Sequence, residues 1–133
     1  MAFLPYKFDG TARPQSLDYL PAAAITPKVG MALKWDSGKL TLCSGTTKPE
    51  YISMTERDAA LTAGDIIPVL KITPDLVLET VTSADASAVA DGSKVTIATD
   101  GLRVTATTTS GVAQIVSRDG TGAAGDKVRV RFA

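Results

Sequence analysis

Cys43 is the only thiol in the chain, and there is no histidine at all. One cysteine can form neither an intrachain disulfide nor a zinc site built from several cysteines. The lack of histidine removes the commonest general base, the usual activator of a nucleophile and the commonest transition-metal ligand. Carboxylates and cations remain. Glu50 and Glu56 each stand alone in a polar stretch, and a lone carboxylate is no evidence of acid–base chemistry. Asp65, Asp75, Asp85, Asp91, Asp100, Asp119 and Asp126 mostly sit beside glycine or proline, without the spacing of a calcium loop, so turn chemistry explains them better. Lys127, Arg129 and Arg131 alternate with Val128, Val130 and Phe132. Such a stripe could meet phosphate, but it reads first as a solvated or ion-paired strand face. No glycine-rich run leads into a helix with the Lys and Ser/Thr of a phosphate loop, and no Gly-x-Ser-x-Gly elbow is present. The expectation is a protein that is not an enzyme and that carries no cofactor and no metal.

Binding, and not turnover, is then the expected trade of this chain, and composition bounds the partner. Lys plus Arg and Asp plus Glu number 14 each, so the net charge is zero, which supplies no overall field for nucleic acid. Zero net charge also gives little protection against self-association, as suits a component of a larger assembly. Residues 1–5 form too short an apolar run, broken by Pro5, for a signal peptide, and no stretch reaches the ~20 apolar residues of a membrane span. Synthesis in a reducing cytoplasm, with no membrane partner, is expected.

The elements that must position any binding residue fall into two parts. Residues 1–29 carry Pro5, Pro14, Pro21 and Pro27, each of which removes a donor and favours extended backbone before it. Phe3, Leu4, Tyr6, Phe8, Tyr19 and Leu20 crowd the same segment. A disordered tail is poor in such residues. An extended arm that docks in a groove is rich in them, because apolar side chains supply the energy and proline limits the ordering cost. These six are the candidate docking residues; packing of the arm on its own domain is the alternative.

Residues 30–133 read as one β-rich domain. Met31, Leu33 and Trp35 alternate with polar or small residues, Ser37-Gly38 makes a two-residue turn, and Leu40 and Leu42 continue the alternation. That turn places Trp35 opposite Leu40 and Leu33 opposite Leu42 on one face, with Cys43 on the other. Thr55 to Leu61 reads as one helical turn or an irregular excursion. Gly64 starts a strand over 66–72, where Pro68 predicts an edge strand or a bulge. Asp100-Gly101 marks another hairpin, in which Ile97 faces either Val104 or Leu102. Leu33, Trp35, Leu40, Leu42, Ile97 and Val104 are the expected core.

Two stretches echo each other. Leu33, Trp35, Leu40 and Leu42 align with Val95, Ile97, Leu102 and Val104 at an offset of 62, and Ala63-Gly64-Asp65 with Ala124-Gly125-Asp126 at 61. If residues 30–72 and 92–132 are related hairpin units, they close into a small sandwich or barrel with Trp35 near the shared core. The fold class is therefore all-β: a small sandwich-like or barrel-like domain behind an extended N-terminal arm.

Val29-Gly30-Met31-Ala32-Leu33, Gly38-Lys39-Leu40, Lys48-Pro49-Glu50-Tyr51-Ile52-Ser53-Met54 and Ala63-Gly64-Asp65-Ile66-Ile67-Pro68-Val69 together resemble the head-decoration, or cement, proteins of tailed bacteriophages. The likeness is best over 29–72 and thins through 92–132. It implies a virion protein on the outer capsid surface, a trimer at local three-fold positions, that ties adjacent major capsid subunits together. A carbohydrate- or receptor-binding β module of a virion surface or tail is the rival. Such modules present exposed aromatics, and Trp35 and Tyr51, with Phe132 last in line, are the domain's candidates.

Overall fold

The computed structural model describes residues 2–8 and 17–132, apart from the side chains of Lys7 and Phe8. Those residues are all-β, without a helix, in ten strands: β1 (Leu4–Phe8), β2 (Asp18–Pro21), β3 (Ala32–Asp36), β4 (Lys39–Leu42), β5 (Tyr51–Ser53), β6 (Ile66–Lys71), β7 (Leu76–Val81), β8 (Lys94–Val95), β9 (Ala113–Arg118) and β10 (Lys127–Arg131). The first sheet has the order β2-β6-β5-β3-β4 and the second β1-β7-β10-β9-β8, with every strand pair antiparallel.

Two apolar clusters hold the sheets. Leu78, Val130 and Ile115 of the second sheet pack with Ile52, Leu70 and Cys43 from one face of the first. The opposite face of the first sheet gathers Met31, Leu33, Leu40, Ile67 and Val69, with Ala22 folded over them. The β3–β4 hairpin has the register its turn dictates, Trp35 opposite Leu40 and Leu33 opposite Leu42. Ser37 and Gly38 both have left-handed backbone, at φ 51° and 80°, the requirement of a two-residue primed turn. Cys43 lies on the other face, in the cluster between the sheets. At the second hairpin Ile97 faces Val104.

Backbone geometry repeats along the chain. Leu20 faces Ile67 as Thr80 faces Val128, Ala32 faces Ile52 as Lys94 faces Gln114, and Ser53 faces Val69 as Ile115 faces Val130. Gly30 N–H donates to the Ser53 carbonyl at 2.7 Å, and Gly92 N–H to that of Ile115 at 2.7 Å. Gly64 N–H reaches Ala22 at 2.8 Å and Gly125 N–H reaches Thr82 at 2.9 Å; Ala23 N–H reaches Leu40 and Ser83 N–H reaches Val104, both at 2.8 Å. The Asp65 carboxylate accepts from Thr62 N–H at 3.0 Å, and that of Asp126 from Ala123 N–H at 3.1 Å. Two β repeats, residues 18–71 and 78–131, thus share one scaffold. The first begins with β2, well before residue 30. Each repeat curls on itself through a parallel bridge, Ala22 to Leu40 and Thr82 to Val104.

Three expectations need correction. Trp35 is not a core residue: it is 38% exposed. β5 runs alongside β3 only at Ala32 and Leu33, so no strand continues beside Trp35 on that side, whereas Leu40 on its β4 side is covered by the Ala22–Ala23 crossing. Phe3 is not available for docking. It is fully buried in the cluster between the sheets, with its ring edge-on to Phe132 at a centroid distance of 5.5 Å. Its strand β1 pairs with β7, so this part of the N-terminal segment belongs to the domain's own core. Pro68 lies on neither an edge strand nor a bulge, since β6 runs between β2 and β5. Its carbonyl accepts from Met54 N–H at 3.0 Å, just past the end of β5, so the donor it lacks is not missed within the paired ladder.

Candidate functional site

Of the six candidate docking residues, Phe3 is buried, Leu4, Tyr6 and Tyr19 are exposed, and Leu20 is half-buried against the inner cluster of the first sheet. The Phe8 side chain lies outside the described residues. Of the expected core, Leu33, Leu40, Ile97 and Val104 are buried and Leu42 is half-buried. Among the described residues, Leu4, Tyr6, Leu17, Tyr19 and Ile66 are five of the seven large apolar side chains left exposed, so exposure concentrates on or beside the strands that end the two sheets.

The repeat supplies an internal comparison. Tyr19 faces Pro68 and Pro21 faces Ile66, so these four side chains share one face of the first sheet, with Tyr19 67% and Ile66 57% exposed. The equivalent face of the second repeat carries Glu79, Lys127 and Arg129. There Arg129 pairs with Glu79 at 3.1 Å and Asp119 at 2.7 Å, Lys127 approaches Glu79 at 3.9 Å, and Arg129 lies 5.0 Å from the centre of the Tyr6 ring. The Asp119 hydrogen bond raises the Arg129 pKa above its ordinary value. One face is ion-paired, with Arg129 and Glu79 largely covered and Lys127 exposed; its counterpart is an apolar ledge.

A second feature lies on the opposite face of the first sheet. Tyr51 faces Leu33 on one side and Lys71 on the other, and Trp35 follows two residues after Leu33, so Trp35, Tyr51 and Lys71 point the same way. The Trp35 and Tyr51 rings meet edge to face, 5.8 Å apart at 86°. Beside them opens a cavity of about 410 Å3 lined by Lys48, Pro49, Glu50, Tyr51, Lys71 and Ile72. Its loop is fixed at several points. Gly45 exchanges backbone hydrogen bonds with Ile97, the Cys43 thiol donates to the Thr47 carbonyl at 3.1 Å, Glu50 N–H donates to Leu33, and Ile72 N–H donates to Glu50. Burial pushes the Cys43 thiol up to about 11, so it is a packing group and not a nucleophile. Neither Lys48 nor Lys71 has an ion-pair partner among the described residues.

Lys71 drew no functional reading from the sequence, Lys48 and Ile66 entered only as part of the resemblance, and Glu50 was set aside as a lone carboxylate. The signal that finds them is a position-by-position comparison of the repeats, which needs the structural alignment to be legible. Among the described residues no group of three or more acidic, cysteine or histidine side chains is placed to hold a metal, and no helix is long and apolar enough to cross a membrane. Neither the family models nor the curated proteins compared with this chain match it.

Proposed function

We propose that this chain is a structural, non-enzymatic protein that binds the outer surface of an assembled phage capsid and ties adjacent major capsid subunits together, as trimers on the lattice. The resemblance over residues 29–72 motivates the reading, and the ledge of Tyr19, Pro21, Ile66 and Pro68 carries it. The same scaffold position holds the ion-paired Glu79, Lys127 and Arg129 in the other repeat, so strand pairing alone does not call for apolar groups there. A ligand that binds the closed lattice and not free subunits stabilises it by linkage, and many copies acting together need only a few kcal/mol each. Leu4 and Tyr6 extend the exposed apolar surface on the other sheet's end strand.

The test exchanges the ledge for its counterpart. Tyr19→Glu with Ile66→Lys copies the residues found at 79 and 127. Burial of these two side chains is worth about 1.5–3 kcal/mol each, so binding to undecorated capsids in a co-sedimentation assay should weaken by at least about tenfold while the protein stays folded. Decoration as tight as that of the parent would sink the proposal.

A second reading, a saccharide-binding module, draws on one observation: the edge-to-face pair of exposed Trp35 and half-buried Tyr51 beside a cavity.

A further inference from the structure

The geometry points to a site for a carboxylated saccharide at the mouth of the first repeat, with Trp35 and Tyr51 as its shelf and Lys48 and Lys71 as its anion-binding groups. The inference rests on the saccharide-binding reading above and names the ligand class for it; it is independent of capsid binding.

The two repeats make the case. Carried across by the register of the strands, Trp35 corresponds to Ile97, Glu50 to Val112, Tyr51 to Ala113 and Lys71 to Phe132, and counting back three residues from Tyr51 and Ala113 sets Lys48 against Ser110. In the second repeat Ile97, Ala113 and Phe132 are buried, and Phe132 meets Phe3 edge to face, so that mouth is plugged by apolar groups. In the first repeat the same region holds a tyrosine, two cations and a carboxylate around a cavity of about 410 Å3, with an exposed indole against the tyrosine. The scaffold therefore closes without any of these groups. Their presence in one repeat only is a property of the site and not of the fold.

The chemistry fits one ligand class. The apolar C–H face of a sugar ring lies well against an aromatic face, and barrel mouths with a few placed polar groups are common small-molecule sites. Lys48 and Lys71 meet no carboxylate of their own chain among the described residues, which leaves both ammonium groups for an anion. Glu50, held between β3 and β6 by its backbone, supplies an acceptor for sugar hydroxyls. With two lysines against one glutamate, the lining favours an acidic sugar over a neutral one.

Trp35 is the only tryptophan, so its emission reports directly on the shelf. The full chain is titrated with tetragalacturonate, sialyllactose, maltotetraose and sodium acetate. A saturable change in emission is expected with at least one carboxylated sugar, with maltotetraose weaker by about tenfold or more and acetate inert. Lys48→Gln combined with Lys71→Gln should weaken the carboxylated sugar by about tenfold and leave thermal melting unchanged, both side chains being exposed. Equal affinity for maltotetraose and the acidic sugars overturns the ligand class and leaves the saccharide-binding reading standing. Binding that survives the double substitution overturns the site. No response to any sugar, including on a broad glycan array, overturns both.

Discussion

Phe3→Ala is the sharpest test of how the N-terminal segment is used. The Phe3 ring is fully buried between the sheets and rests edge-on against Phe132, while its N–H donates to the Gly30 carbonyl at 3.0 Å. Truncating such a side chain leaves a cavity that backbone pairing of β1 with β7 cannot close. The cost for a buried phenylalanine is about 3–5 kcal/mol, of which the aromatic pair accounts for about 0.5–1.5. A chain of this length unfolds with an entropy near 0.28 kcal/mol/K, so a loss of about 4 kcal/mol lowers the melting temperature by about 14 °C. Urea unfolding followed by circular dichroism measures the loss directly, and a double-mutant cycle with Phe132→Leu isolates the ring contact. Tyr6→Ala serves as the control: Tyr6 is 52% exposed and loses only its contact with Arg129, about 1 kcal/mol or less. If Phe3→Ala stays within 1 kcal/mol of the parent, residues near the N-terminus are not part of the core, and an arm free to dock elsewhere becomes the better account.

Three further outcomes follow from local geometry. Cys43 should resist iodoacetamide in the folded protein at pH 8 and react once urea unfolds it. Because its thiol rises from an ordinary value of 9.0 to about 11 in the fold, stability is insensitive to this group below pH 9 and falls as pH climbs from 9 towards 11, where the unfolded chain loses the proton first. Gly111→Ala should destabilise by about 1–3 kcal/mol in thermal melts, since a Cβ there would stand 2.2 Å from the Lys94 carbonyl oxygen, backbone that cannot swing aside. Melting at the parent temperature would show that the β8–β9 junction is looser than its hydrogen bonds indicate.

What the sequence made legible was whatever turn chemistry decides. Ser37-Gly38 set the hairpin register, and the register set which side chains share a face, so Cys43 fell opposite Leu33, Leu40 and Leu42 as the alternation requires. Which face is covered is a separate matter, decided by strands far away in sequence. Trp35 shares its face with Leu33 yet remains exposed, because β5 stops short of it. The proline-bearing N-terminal segment read as a docking arm for a related reason. Proline is readily accommodated in an end strand, and Pro5 and Pro21 occupy the strands that end their sheets, while Pro68 fits inside β6 because β5 has already ended beside it. Thr55 to Leu61 forms no helix; it crosses as irregular chain pinned by Arg57 N–H to Pro27 and Leu61 N–H to Ile25. The cleft escaped notice because its residues are unremarkable singly, and only the tertiary overlay of the repeats sets Lys71 beside Phe132.

The duplicated scaffold also explains how a chain this small can carry two distinct surfaces. In each repeat the same backbone bonds fix the curl, from the glycine that opens the first long strand to the Gly-Asp turn before the last. Side chains at the β2 end of the inter-sheet face and at the mouth are then free of structural duty, provided one neighbour plugs what must stay dry. The second repeat uses that freedom conservatively, with an ion-paired outer face and a mouth sealed by Phe132 and Phe3. The first repeat leaves the end of its inter-sheet face apolar at Tyr19 and Ile66, and its mouth open at Trp35, Tyr51 and Lys71. The asymmetry places both candidate binding surfaces on the first repeat, on opposite faces of one sheet, so that a partner on the ledge and a ligand in the cleft need not compete for the same side chains.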